Sequence, residues 1–214
     1  MIALIVFWVA AAMAVYTYFL FPLLVLVRGW LFRRPYREAC TLPRVSIVIA
    51  CHNEEANIEK KLHNLFALDY PADRLQIIIA SDGSTDATED VAARFSDRVL
   101  LLRLPRRGKA AALNAAVARA VGDILVFSDA NSMYDPDAIR MLTRPFADEQ
   151  VGGVAGDQRY NKRRSAASIQ DGECRYWSFD RWLKQQQSRA GSVTSATGAI
   201  YAIRRELFAT CPAV

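Results

Sequence analysis

VSIVIACHNEE, residues 45–55, decides the fold. VSIVIA (45–50) is a continuous apolar run of strand length. The polar HNEE that ends it opens a helical pattern with Ile58, Leu62, Leu65 and Phe66 on one face, stopped by Pro71. A strand this apolar is covered on both sides, as in a parallel sheet. The unit recurs downstream. LQIIIA (75–80) leads through SDGSTD into a helix with Val91 and Phe95 inward. VLLLRL (99–104) leads through RRGK into an Ala-rich helix over 109–121, ended by Gly122. ILVFS (124–128) leads through SDAN to a helix over 136–146, with Asp135 as N-cap and Pro136 as first helical residue. Alternation of this kind predicts an α/β fold, Rossmann-like, with a mostly parallel sheet and helices on both faces.

In such sheets ligands bind beyond the carboxyl ends of the strands. HNEE, SDGSTD and SDAN all stand there, so sheet geometry brings them together. Asp82 precedes the glycine turn of SDGSTD, where a carboxylate can accept hydrogen bonds from a base N–H or a ribose hydroxyl. Ser84 to Glu89 read more simply as the cap and acidic first turn of the next helix. Asp129 closes a buried strand, where an unpartnered carboxylate is costly. A hard divalent cation, Mg2+ or Mn2+, bridging to a diphosphate would satisfy it, with Asn131 adding a carbonyl or holding a water. Lys109 stands at a helix start against the dipole, a cost that a phosphate would offset; the alternative is a solvated basic loop. The Gly and Ser/Thr of a P-loop are missing around it. His52 offers a flat ring for a base and Glu54 an acceptor for its polar edge, while Asn53 reads as a helix cap.

Outward from this core, the N-terminal stretch Met1–Val27 carries no charged side chain. As a helix, residues 2–27 would be about 39 Å long, enough to span a bilayer core with some tilt, with Pro22 a possible kink point. The lack of a basic leader and the length of the run argue against a cleaved signal peptide. Arg28, Arg33, Arg34, Arg37 and Arg44 follow, with Glu38 the only acid, so this flank holds +4 of the chain's net +5. That asymmetry predicts a cytoplasmic flank at the cell's inner membrane, and anionic lipid rather than nucleic acid as the partner of the basic charge. The expected division is an anchor over 1–30, a basic linker over 31–43 and a catalytic-type domain over 44–214. The 214 residues, 52% hydrophobic and 23% charged, exclude a disordered polyelectrolyte. Cys40, Cys51, Cys174 and Cys211 have neither zinc nor disulfide-framework spacing and read as reduced cytosolic thiols.

Further downstream, RYNKRR (159–164) is a basic cluster, read as a solvated face or as a membrane- or acceptor-side surface. A helix over 165–187 carries Tyr176, Trp177, Phe179 and Trp182, a stripe that more often packs than binds sugar. SATGAIYAIRREL (195–207) reads as a small-residue loop, a short strand and a helix start.

Taken in order, VSIVIACHNEE, SDGSTD, RRGKAAALN, FSDANS and TGAIYAIRREL resemble the family 2 glycosyltransferases over roughly residues 43–210. The N-terminal anchor is similar to that of membrane-bound synthases related to cellulose and poly-N-acetylglucosamine synthases. The resemblance implies the GT-A fold, a nucleotide-sugar donor, UDP-linked by expectation, and inversion at the anomeric carbon, with a saccharide or lipid-linked acceptor. It implies that Asp82 contacts the nucleoside, that Lys109 lies near the donor phosphates or ribose, and that Asp129 is the metal-binding acid of a D-x-D motif. The third position of that motif is Asn131, a departure from the pattern. The family's acidic base motif and its Q-x-x-R-W motif are expected past Val214, so a truncated chain is expected. The nearest internal acid on the acceptor side is Asp157, in AGDQRY. The alternative is an inactive nucleotide-sugar-binding fragment without a base. An NAD-type oxidoreductase is disfavoured because no G-x-G-x-x-G follows the first strand.

Overall fold

The computed structural model describes residues 1–158 and 170–212, the side chains of 170–177 excepted. The cluster 159–164 and the side chains of Tyr176 and Trp177 thus lie outside the described residues. The chain divides into two compact units, Met1–Pro35 with Arg159–Ser195 and Tyr36–Gln158 with Ala196–Val214.

The second unit holds the sheet. Strands β1 (Val45–Cys51), β2 (Leu75–Asp82), β3 (Val99–Leu104), β4 (Ile124–Ser128), β5 (Gly153–Ala155) and β6 (Ile200–Arg204) pair in the order β3-β2-β1-β4-β6-β5. The first four are mutually parallel, with Val45 beside both Leu75 and Ile124, and β6 is antiparallel to its neighbours β4 and β5. The apolar runs fall in the strands because alternate residues face opposite layers and both layers are covered. Val45, Ile47, Ile49 and Cys51 join one core with α3 (Glu55–Phe66), α4 (Thr88–Ala93) and α6 (Ala138–Thr143). Val48, Ile78 and Leu125 face α5 (Lys109–Val117), whose Ala112 and Ala116 are fully covered. The sheet order reverses direction at β1, between β2 and β4, which opens a crevice at the carboxyl ends of those strands.

Four local expectations are corrected. Ser84 and Thr85 do not cap α4: its N-cap is Ala87, and Asp86 accepts the Thr88 amide instead. Gly122 does not end α5, which stops at Val117. Gly122 is needed for another reason, since a Cβ there would stand 2.5 Å from the Ser46 nitrogen in β1. The helix over 136–146 begins at Ala138 with Asp137 at its N-cap, and gives way at Arg144 to a 3-10 turn containing Pro145. Proline has no N–H with which to continue the α-ladder. The helix start after β6 is a single 3-10 turn, Arg205–Leu207. β5, only three residues long, carries too little pattern to be read from sequence. It is placed by pairing with β6 and by Arg204, which donates to the carbonyls of Phe146, Asp148 and Val151.

The first unit contains α1 (Ile2–Val15), a π-helical turn (Tyr16–Leu20), α2 (Phe21–Leu31) and α7 (Gln170–Arg189). Ile2–Leu31 form one helical stretch of 30 residues with mean hydropathy 2.1, long and apolar enough to cross a membrane. The irregularity expected at Pro22 takes the form of the π turn before it, as wider turns accommodate a missing amide donor. α7 packs on α2 at Gly29, where a Cβ would meet the Gln186 carbonyl at 2.9 Å. Within α7, Phe179 stacks on Trp182 with ring centroids 5.8 Å apart.

Candidate functional site

The crevice is a cleft of about 370 Å³ lined by Ala50, Cys51, His52, Glu54, Asp82, Arg106, Lys109, Asp129, Ala130 and Asn131. His52, Glu54, Asp82, Lys109, Asp129 and Asn131, all picked out in the sequence, therefore meet in one place. Asp157 does not line the cleft. It follows β5, whose Ala155 pairs with Tyr201, itself opposite Phe127 of β4. β5 is separated from β4 by β6 in the sheet.

The β1–α3 and β2–α4 turns are laced together. Asn53 adopts a left-handed conformation, φ 54°, which asparagine tolerates. Its Oδ1 accepts the Thr85 amide at 2.8 Å, and its own amide donates to Ser84 Oγ at 3.2 Å. Asn53 thus joins two turns rather than capping its helix. The Glu55 amide donates to Asp86, and the Ala87 amide donates back to Glu55. His52 Nδ1 lies 2.9 Å from the Asp82 carbonyl. A carbonyl only accepts, so Nδ1 carries a proton. Glu54 Oε2 accepts from Asn57 at 2.8 Å.

Asp82 is 3% exposed, and its carboxylate is occupied by the chain's own loop. Arg106 Nη1 donates to Oδ2 at 2.8 Å, the Arg107 amide to Oδ1 at 2.7 Å, and the Gly108 amide to both oxygens at 3.1 and 3.0 Å. Charge-assisted bonds of this kind are the strong ones. Gly108, at φ 90°, turns the loop into α5 and places Lys109 at its first position. Lys109 Nζ then reaches Asp129 Oδ1 at 2.7 Å. On the other side of Asp129, a Cβ at Gly198 would stand 3.3 Å from Oδ2, so only glycine leaves that carboxylate its full space.

The donor set at Asp129 and Asn131 is a carboxylate and an amide carbonyl, both hard oxygen ligands. Among the described residues no cluster of three or more His, Cys, Asp or Glu side chains could cage a metal ion. One carboxylate with an amide oxygen is the kind of donor set that Mg2+ or Mn2+ takes alongside waters and phosphate oxygens.

Arg106, Gly198 and Lys61 escaped the sequence reading. Lys61, on α3, is fully buried, donates to the Ser132 carbonyl and lies 3.7 Å from the centre of the Tyr134 ring. A signal for it existed: Lys61 is three residues after Ile58 and four before Leu65, on the apolar stripe of its helix. Burial, with Glu54, Glu89 and Asp86 adding to it, pushes the Cys51 thiol up to about 12 and disfavours its thiolate.

Residues 46–211 match the family described as Glycosyl transferase family 2. The chain is 30% identical over 198 residues to a beta-monoglucosyldiacylglycerol synthase of Nostoc sp. strain PCC 7120, covering 86% of this chain and 41% of that protein. It is 31% identical over 198 residues to a poly-beta-1,6-N-acetyl-D-glucosamine synthase of Staphylococcus aureus strain COL, covering 90% of this chain and 46% of that protein. The chain thus spans less than half the length of these two curated relatives. Its fold matches the mannosyltransferase PcManGT from Pyrobaculum calidifontis, solved in complex with GDP-Man and Mn2+. The TM-score is 0.74 and the identity 30%, over 92% of this chain and 56% of that one. Sheet order, cleft and family match agree: the chain belongs to glycosyl transferase family 2 and carries a GT-A glycosyltransferase fold.

Proposed function

We propose that the cleft binds a nucleoside-diphosphate sugar, UDP-linked, and that the chain is the donor-binding region of an inverting enzyme of cell-envelope glycan synthesis. Its acceptor is a saccharide or a lipid-linked acceptor, and the reaction takes place on the cytoplasmic side of the inner membrane that residues 1–30 enter. The observation that carries this reading is the meeting of His52, Glu54, Asp82, Lys109, Asp129 and Asn131 at the carboxyl ends of β1, β2 and β4, and around the start of α5.

The His52 ring packs on the base and Glu54 accepts from its polar edge. Asp82 reaches the nucleoside where Arg106 now bonds, because the Arg106 side chain is 59% exposed and can turn away while the Arg107 and Gly108 amides hold the carboxylate. Asp129 and Asn131 hold the divalent cation. Mg2+ or Mn2+, when bound, neutralises charge gathering on the departing diphosphate. Lys109, released from Asp129, turns to the phosphates and adds a second cation. Asp157, just past β5, is the nearest internal acid for the acceptor side. The same set of groups without a base to deprotonate the acceptor would bind the donor and leave it intact.

Calorimetry with UDP tests the site. Binding is expected to need Mn2+, and Asp129→Ala is expected to weaken it by at least tenfold while Asp135→Ala leaves it within twofold (about 1.4 kcal/mol per decade). Equal affinity in excess chelator, or equal effects of the two variants, would remove Asp129 from the site.

A further inference from the structure

The first unit holds a second cavity, of about 460 Å³, lined by Leu26, Val27, Gly29, Trp30, Arg33, Gln186 and Arg189. Its size suits a small ligand or part of a lipid. We propose that it binds one anionic phospholipid, with the phosphate between Arg33 and Arg189 and an acyl chain along Leu26 and Val27. This proposal rests on the reading of Ile2–Leu31 as a membrane span, and it adds a specific lipid site to that reading.

Position, charge and rigidity support it. The cavity straddles the boundary where the uncharged stretch ending at Val27 meets the arginines that follow. In a spanning helix that boundary falls at the headgroup layer, where Trp30, 81% exposed, also belongs. Among the described residues no carboxylate pairs with Arg33 or Arg189. Arg189 Nη1 donates to Gln186 Oε1 at 3.0 Å, which aligns the guanidinium without neutralising it. Two guanidiniums that no carboxylate among the described residues neutralises, beside Leu26 and Val27, match an amphiphile with an anionic head. The cavity is also held open by backbone. Gly29 lets α2 and α7 approach until only a hydrogen atom fits, and the Arg34 amide donates to the Arg189 carbonyl at 2.9 Å.

The test uses the full chain in detergent, with equimolar phosphatidylglycerol and phosphatidylcholine, and counts retained lipid by native mass spectrometry. Phosphatidylglycerol is expected to be retained in preference, and less so as ammonium acetate is raised. The double variant Arg33→Gln, Arg189→Gln is expected to lose the preference by about tenfold. Arg33→Lys, Arg189→Lys should keep it, as should the control Arg94→Gln, Arg119→Gln. Equal retention of the two lipids by the unmodified chain would overturn the site, and so would an equal loss in the control. Displacement of the lipid by glycerol 3-phosphate would show that a phosphate headgroup alone suffices, and would overturn the lipid assignment. Flotation with pure phosphatidylcholine vesicles separates the two readings: a chain that floats but shows no lipid preference keeps its anchor and loses this site, whereas one that does not float loses the anchor first.

Discussion

Lys61 is a charged group set inside a core, and its chemistry follows from that. Burial lowers its ammonium from 10.5 to about 7, with the Asp129 carboxylate opposing the shift. The folded chain therefore holds this proton more weakly than the unfolded chain. Between about pH 7 and pH 10.5 the unfolded state binds more protons, so stability rises with pH, by at most ~1.4 kcal/mol per unit. Urea unfolding across this range should show a rising midpoint, and Lys61→Met should flatten it. An identical slope in the variant would mean that Lys61 contributes nothing to the pH dependence. Asp82 is the converse case, a buried acceptor fully used by three donors. Asp82→Asn turns an amide N–H toward donors that need acceptors. It should cost about 1.5–3 kcal/mol in urea unfolding; a loss below ~0.5 kcal/mol would show that the loop over 105–108 does not depend on this carboxylate.

At the scale of elements, the site depends on turns that hold one another. The β1–α3 and β2–α4 turns exchange hydrogen bonds in both directions, through Asn53, Ser84, Glu55 and Asp86. The segment between α5 and β4 is pinned in the same way at the opposite end of the sheet. The Gly122 amide donates to Ser46 Oγ at 2.8 Å, and Ser46 Oγ donates to Gln76 Oε1 at 2.6 Å. A methyl at Gly122 would strike the β1 backbone, which cannot move without breaking the pairing with both neighbours. Gly122→Ala should cost about 1–3 kcal/mol, measured as a lower urea midpoint; an unchanged midpoint would show that the strand and turn can part freely. The strand ends were legible because each polar motif follows an apolar run of strand length. The lacing between turns was not, since Asn53 and Thr85 are 32 residues apart and meet only once β1 and β2 pair.

For the whole molecule, charge and hydropathy separate by position. The apolar stretch Ile2–Leu31, long enough to cross a membrane, is followed closely by arginines, and the sheet lies downstream of both. Removing residues 1–27 should shift the protein from the membrane pellet to the supernatant after ultracentrifugation. Continued pelleting would mean that another surface, such as the arginine-rich flank or α7, holds it to lipid.

The sequence by itself determined the four parallel strands, the apolar N-terminal helix and six of the residues that line the cleft, His52, Glu54, Asp82, Lys109, Asp129 and Asn131. Each is written in local periodicity or in a motif at a strand end, and a parallel sheet carries all such ends to one edge. Only the tertiary structure decided how those residues are engaged. Asp82 bonds to its own loop and Lys109 to Asp129, Gly122 and Gly198 matter for what they approach, and Lys61 is sealed inside. The reason is physical: a hydrogen bond or a close contact between residues far apart in the chain has no periodicity to announce it, and exists only when packing brings its two halves within reach.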